Sequence, residues 1–227
     1  MRDLTLLYYT SGLAEEHFLK RIRRHLVEVS GIGLPIVSVS QIPLDFGESI
    51  CVGNLGKSLF NIYWQVYVGA QRVKTQYTAC VEDDCLYTSE HFLYRPKKVF
   101  AYNTNKWTIN PHRFSYRTRT GMCMGIHPTD LLVKTLRLRF EKYPPKVDGS
   151  HLLRENLAGF GEPGKCEDRL GLPFVGMEIF RTKEPLLTFN HRPSLGGVRK
   201  MMNGDIFRDE LSIWGRASNL WKEYVEE

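Results

Sequence analysis

The chain has 227 residues, 42% hydrophobic and 25% charged, with a formal net charge of +6. That length can bury a real core in one sizeable domain or two small ones, and the composition excludes fibrous and disordered classes. No run approaches the ~18 consecutive apolar residues of a membrane span. The start, Met-Arg-Asp-Leu-Thr-Leu-Leu-Tyr-Tyr-Thr, has too short an apolar run for a secretion signal, so a cytoplasmic chain is the expectation.

Leu4 to Tyr9 reads as a buried strand closed by Thr10-Ser11-Gly12. Residues 14–30 place Phe18, Ile22 and Leu26 four apart, with Gly31 as a stop, which predicts a helix. Pro35 to Ser40 reads as a second strand. Between Ser58 and Gln76 the residues Leu59, Ile62, Tyr63, Val66, Ala70 and Val73 keep helical spacing. Tyr77 to Val81 is a third strand, and Glu82-Asp83-Asp84 stand at its carboxyl end. Strands alternating with helices predict a parallel sheet with covering helices. Residues 205–226 read as a closing helix with Asp205 as N-cap and Leu211, Trp214 and Trp221 on its apolar side.

The acidic triplet is a concentration of negative charge in a basic chain. Ligands of open α/β sheets bind outside the carboxyl ends of the strands. Strand alternation would put Glu82 and Asp84 on one face and turn Asp83 the other way. Two carboxylates on one face begin an octahedral Mg or Mn site with positions left for phosphates. A solvated acidic loop is the plain alternative.

Five cysteines (Cys51, Cys80, Cys85, Cys123, Cys166) include no C-x-x-C pair. Cys80 and Cys85 flank the triplet, but hard carboxylates and soft thiolates prefer different ions, so buried reduced thiols are expected. Upstream, Asn54-Leu-Gly-Lys-Ser-Leu-Phe-Asn61 opens the long helix, where free backbone N–H groups suit a phosphate or sugar hydroxyl. Taken alone, Gly56 and Ser58 are more simply a turn and an N-cap.

With these features in order, the chain resembles a nucleotide-sugar-dependent glycosyltransferase of the GT-A fold, a Rossmann-like α/β class with a mostly parallel central sheet flanked by helices. "NLGKSLFN" is similar to the segment before the family's D-x-D-like metal motif, and "TQYTACVEDDCLYTSEHF" to the motif strand itself. "VFAYNTNKWTI" resembles the following strands, and "CMGIHPTDLL" the start of the acceptor side. "EPGKCEDRLG" resembles the loop that carries the catalytic base, and "LLTFNHRPS" the late metal-binding histidine. The match spans roughly residues 4–195, closest to small stand-alone transferases of bacteriophage and environmental type, for which a host cytoplasm would be the location.

The resemblance implies a divalent cation, Mn or Mg, held by Asp84 and His191. It implies a nucleotide sugar, UDP-linked, near Thr10, Ser11, Gly56, Lys57, Asn61, Glu82 and Asp83. It implies a general base among Asp168, its neighbour Glu167, and the rival Glu162. A glutamate at position 82 departs from strict D-x-D. A base separate from the metal motif tilts the expectation toward inversion of the sugar. The expected layout is one domain over residues 1–227, with a nucleotide half to about Tyr87 and an acceptor half to about residue 195. The loop 144–150 and the Gly-rich stretch 159–173 are expected to be mobile.

Residues 95–148 hold twelve Lys and Arg against three Asp and Glu, so the rest of the chain is net negative. "RPKKVFAYNTNKW" and "PHRFSYRTRTG" interleave cations with aromatics, as phosphate contact plus base stacking requires. Lys97, Lys98, Arg113, Arg117 and Arg119 are the candidate contacts for a DNA acceptor, with a hydroxymethylated base as target. The plain alternative is a solvated basic face with Phe114 and Tyr116 packed in a β-hairpin. A saccharide or other small acceptor is the other substrate class. Two further classes compete. A metal-dependent nucleotidyltransferase would carry a basic Gly-rich loop after its first strand, where "YYTSGLAEEH" has one glycine and no lysine or arginine. A non-catalytic nucleic-acid-binding module leaves the triplet and His191 unexplained.

Overall fold

A computed structural model describes residues 3–31, 33–144, 159–169, 171–191 and 204–226. The expected mobile loop from 145 to 150 and the 192–194 end of the late-histidine segment lie outside the described residues.

The first strand, β1 (Leu4–Thr10), is buried along its whole length, as a run with apolar or aromatic side chains on both faces demands. After α1 (Glu16–Ser30) come β2 (Ile36–Ser40), the short β3 (Glu48–Cys51), α2 (Leu59–Ala70) and β4 (Tyr77–Glu82). Alternation sorts the side chains. Leu7, Tyr9, Val37, Val39 and Cys80 meet Tyr63, Val66 and Ala70 of α2. Leu4, Leu6, Tyr8, Ala79 and Val81 form the opposite layer, which Leu26 of α1 joins. Helix α2 starts at Ser58, whose hydroxyl accepts from the Asn61 N–H at 3.1 Å. It ends at Ala70, short of the predicted Gln76. At Gly69 a Cβ would collide with Leu7 and Val39, so the glycine lets the helix lie close on the sheet.

The chain continues through β5 (Cys85–Leu86), β6 (Phe100–Asn103), β7 (Lys106–Ile109), β8 (Phe114–Tyr116), β9 (Gly125–Pro128), α3 (Thr129–Lys142) and α4 (Cys166–Arg169). Strands β10 (Met177–Phe180), β11 (Leu186–Phe189), β12 (Ile206–Arg208), β13 (Glu210–Leu211) and β14 (Gly215–Arg216) precede α5 (Ala217–Val225). The central sheet has seven strands in the order β10-β6-β9-β4-β1-β2-β3. Only β9 runs antiparallel to its neighbours. With helices against it, this is the mostly parallel α/β arrangement expected. A second sheet has five strands in the order β12-β8-β7-β11-β5. Its strand β11 is buried throughout, with Phe189 against Phe18 of α1 and Tyr224 of α5.

Three local expectations are corrected. The closing helix starts at Ala217, because residues 206–216 form strands β12, β13 and β14. Asp205 is no N-cap: its carboxylate, 2% exposed, pairs with Arg117 at 2.7 Å. Leu211 and Trp214 precede the helix, and the Trp214 indole N–H donates to the Pro185 carbonyl at 2.9 Å. The strand alternation assumed for the triplet also stops early. Strand β4 ends at Glu82, and Asp83-Asp84 form a turn into β5.

No helix among the described residues is long and apolar enough to cross a membrane.

Candidate functional site

Parallel pairing sets Tyr9 of β1 opposite Glu82 of β4, and Thr10 opposite Ser40 of β2, so three strands end together. The N-terminus of α2 closes over those ends, and Gln65 from its interior donates to the Thr10 carbonyl at 2.9 Å. The resulting pocket is lined by Thr10, Ser11, Gly56, Lys57, Asn61, Glu82, Asp83, Asp84 and His191. These are all the residues expected to hold the nucleotide sugar and the metal.

His191 arrives from far along the chain. Strand β5 pairs antiparallel with β11, and the Phe189 N–H donates to the Asp84 carbonyl at 2.8 Å. The histidine two residues later then sets Nε2 3.8 Å from Asp84 Oδ2, its ring braced 4.9 Å from that of Phe18.

Asp83 does not turn away from the pocket as alternation would have it. In the turn after β4 it faces the same space as its neighbours and accepts from the Thr10 hydroxyl. Thr10 also caps its own turn, accepting from the Gly12 N–H at 2.9 Å. Glu82 accepts from the Tyr9 hydroxyl at 2.7 Å. The electrostatics separate the three acids. Burial, then the neighbouring Cys123 and Asp84, push Glu82 well above the usual carboxylate range. Burial and Asp84 raise Asp83 to about 6. For Asp84 burial works upward, yet His191 outweighs it and holds the carboxyl below its ordinary value.

Could these residues hold a divalent cation? Asp84 and His191 are too far apart for a good hydrogen bond. Two donors ~2.1 Å from one ion stand about 3.0 Å apart when cis and about 4.2 Å when trans. The observed separation falls between. Carboxylates crowded together in a partly buried pocket are what a cation relieves, so the donor set fits. Asn61 has a narrower role than expected. Its amide nitrogen donates to the carbonyls of Leu55 and Gly56 and so shapes the loop before α2.

Among the pocket-wall residues that the sequence reading did not assign to the site are Tyr9, Gln41 and Gln65. Gln41 ties the Leu55–Gly56 loop down, accepting from the Leu55 N–H at 2.8 Å and donating to the Gly56 carbonyl at 2.9 Å. Gln65 was open to detection, as a polar residue on a helix face otherwise turned to the sheet.

None of the three base candidates lines this pocket. Glu167 is 1% exposed and ion-paired with the equally buried Arg139, and it also accepts from the Gly161 N–H at 3.2 Å. Arg139 lies 4.5 Å from the centre of the Phe160 ring. Glu167 is therefore a structural partner, which corrects its place among the base candidates. Glu162 accepts from the Thr120 hydroxyl and pairs with Lys165 at 2.7 Å. Asp168 is exposed and accepts from the Gly164 N–H at 2.9 Å.

On the basic stretch, β7 and β8 form the antiparallel hairpin of the plain reading, with Phe114 buried. Arg117 serves Asp205, and Arg113 lies 5.7 Å from the centre of the Phe207 ring. Lys97, Lys98, Arg113 and Arg119 are exposed. Of the cysteines, Cys80, Cys85 and Cys123 are free and buried as expected, whereas Cys51 is free and exposed.

No protein family matches the sequence, and no curated protein does. Solved structures are similar at low identity. HddC from Yersinia pseudotuberculosis is 10% identical at a TM-score of 0.46, over 81% of this chain and 92% of that one. A nucleotidyl transferase from Methanothermobacter thermautotroptrophicus is 10% identical at 0.42, over 82% and 89%. A glycosyltransferase involved in glycosylation of the major capsid of PBCV-1 is 9% identical at 0.43, over 82% and 91%. At these values the neighbours carry no argument about substrate or mechanism.

Proposed function

We propose that the protein transfers a sugar from a nucleoside diphosphate sugar, with UDP as the nucleotide, to an acceptor hydroxyl. The observation that carries this reading is the meeting of Asp84 and His191 at the carboxyl ends of β1 and β4, beneath the start of α2. Asp84 and His191 would hold a Mn or Mg ion, with Glu82 and Asp83 on its water or ribose side. When bound, such an ion neutralises the charge that builds on the departing diphosphate.

The chain's own residues do the rest. The Leu55–Gly56 loop, whose own N–H groups are taken by Gln41 and Asn54, fixes the start of α2, and a helix start is where phosphate oxygens are favoured. Thr10 and Ser11 form the wall for the nucleoside. Asp168, the most accessible of the candidate acids, takes the proton from the acceptor hydroxyl as the new bond forms. Because that loop does not line the pocket, the base comes into reach when the acceptor is bound.

A nucleotidyltransferase reading is weaker, since the pocket wall after β1 is Thr10, Ser11 and Ala14, none of them basic, and Lys57 comes from the other side, at the start of α2. A DNA acceptor stays part of the proposal through the exposed Lys97, Lys98 and Arg113. Thermal stabilisation by UDP with Mn, compared with CTP and ATP, tests the donor. Stabilisation by CTP or ATP alone would transfer the protein to the nucleotidyltransferase class.

A further inference from the structure

Cys85 was expected to be an inert buried thiol, but it has company. The Glu82 carboxylate, Cys85 Sγ and Cys123 Sγ bring three donor atoms within 4.8 Å of one another. They come from the end of β4, the start of β5 and the turn before β9. The two cysteines are 2% and 3% exposed. Lys106 Nζ lies 3.5 Å from Cys123 Sγ, and the Cys85 thiol lies 3.3 Å from Asp84 Oδ1.

We propose that Glu82, Cys85 and Cys123 form a site for a soft divalent cation, zinc by its chemistry, distinct from the hard-cation position at Asp84 and His191. The donor set decides the ion: two thiolates select zinc over Mn or Mg, and a carboxylate is an accepted third ligand. The spacing permits it. Zinc–sulfur bonds of ~2.3 Å put tetrahedral ligands about 3.8 Å apart, so donors within 4.8 Å need approach by no more than about 1 Å.

The charges also close. Two thiolates and one carboxylate exceed the single positive charge of Lys106 by two, which a divalent ion neutralises. Lys106 then donates to the metal-bound Cys123 sulfur, the outer-sphere contact that steadies a thiolate ligand. Binding releases to solvent the protons that the three ligands carry, those of the thiols and of Glu82. Asp84 stands between the two positions, with Oδ1 at the Cys85 thiol and Oδ2 toward His191. Burial makes this a site filled as the chain folds rather than one that exchanges substrate.

The inference goes beyond the transferase reading and does not depend on it. The full chain, purified under reducing conditions, should bind one cobalt(II) per molecule with a near-ultraviolet thiolate-to-cobalt charge-transfer band. Zinc should displace the cobalt, and excess Mn should not. Cys123→Ser should lose the band, while Cys80→Ser and His191→Ala should keep it. Should Cys123→Ser fail to fold, mass spectrometry of the wild type decides: zinc should protect Cys85 and Cys123, but not Cys51, from alkylation. The proposal is overturned by a folded wild type with no charge-transfer band, by a band that survives Cys123→Ser or vanishes in His191→Ala, or by a Cys85–Cys123 disulfide with no metal retained. No readout involves a nucleotide, so failure here and failure of the transferase reading are separable.

Discussion

Asp84 and His191, far apart in sequence, stand with Oδ2 and Nε2 3.8 Å from one another because β11 pairs with β5 and a backbone bond from Phe189 pins the turn between β4 and β5. The contact is longer than a good hydrogen bond, and it opens onto a pocket with two further carboxylates. A pair held by backbone pairing rather than by its own attraction keeps its place when a third party is inserted. That is the preorganisation a metal site needs.

The first prediction follows. Asp84→Asn and His191→Ala should each weaken Mn-dependent UDP binding by more than about tenfold, or ~1.4 kcal/mol. Far-ultraviolet circular dichroism should stay unchanged, since backbone bonds position both residues. Glu82→Gln should cost less, its expected contact being indirect. Calorimetric titration of UDP with and without Mn reads this out. Equal metal dependence in wild type and both variants would remove the assignment.

Asp168→Asn should abolish transfer, by about 10²–10⁴-fold, while nucleotide-sugar binding persists, because the lost group acts on the acceptor proton alone. Steady-state rates beside donor titrations separate the two effects. An active Asp168→Asn with a dead Glu162→Gln would move the base to Glu162.

Glu167 should behave quite differently. Removing its charge takes away the carboxylate that pairs with the buried Arg139, packed between Phe160 and Tyr63. Glu167→Gln should therefore destabilise the fold by about 3–5 kcal/mol in urea denaturation. A variant as stable as the wild type but inactive would restore Glu167 to the chemistry.

The contrast between Glu167 and Asp84 shows what was legible in the sequence. Strand ends and helix starts are local, so β1, β4 and the beginning of α2 could be read, and with them the pocket they share. The side chains on them followed, down to Thr10 and Lys57. Glu167, Asp205 and Cys123 take their roles from partners on distant segments: Arg139, Arg117 and Cys85. No spacing rule joins those. Asp83 was misplaced for a local reason: alternation was carried one residue past the strand, into a turn that points all three acids into one pocket. The extra turn predicted for α2 failed similarly, since Val73 keeps helical spacing after the helix has ended.

Two buried histidines give the fold a pH dependence. Burial lowers both His91 and His127 to about 3. Above the ordinary value of 6.5 they are neutral in both states. As pH falls below 6.5 the unfolded chain takes up protons that the folded chain refuses, so stability is lost from there down to about 3. At pH 5 the loss is about 2 kcal/mol per histidine. Asp83, raised to about 6, works oppositely: its carboxyl protonates more readily when folded, so stability rises as pH falls through 6. The difference between wild type and His127→Leu isolates the histidine. Its stability gap should shift in favour of the variant by ~2 kcal/mol between pH 7 and pH 5, and a gap that stays constant would show that His127 is protonated in the fold.

The acceptor side gives the sharpest test of the nucleic-acid reading. Arg117 must be left alone, because its loss would break the ion pair of the buried Asp205 carboxylate and disturb the fold rather than a contact. Lys97, Lys98 and Arg113 are exposed and lie on the stretch where positive charge gathers. If all three meet phosphates, neutralising them together should flatten the plot of log K against log salt for duplex DNA by up to about three units. UDP binding should be spared, since none of them lines the pocket. Offering hydroxymethylated DNA, unmodified DNA and simple sugars side by side then identifies the acceptor. Transfer to sugars alone, with an unchanged salt slope, would leave the hairpin of β7 and β8 as a solvated basic face and confine the chemistry to small hydroxyl acceptors.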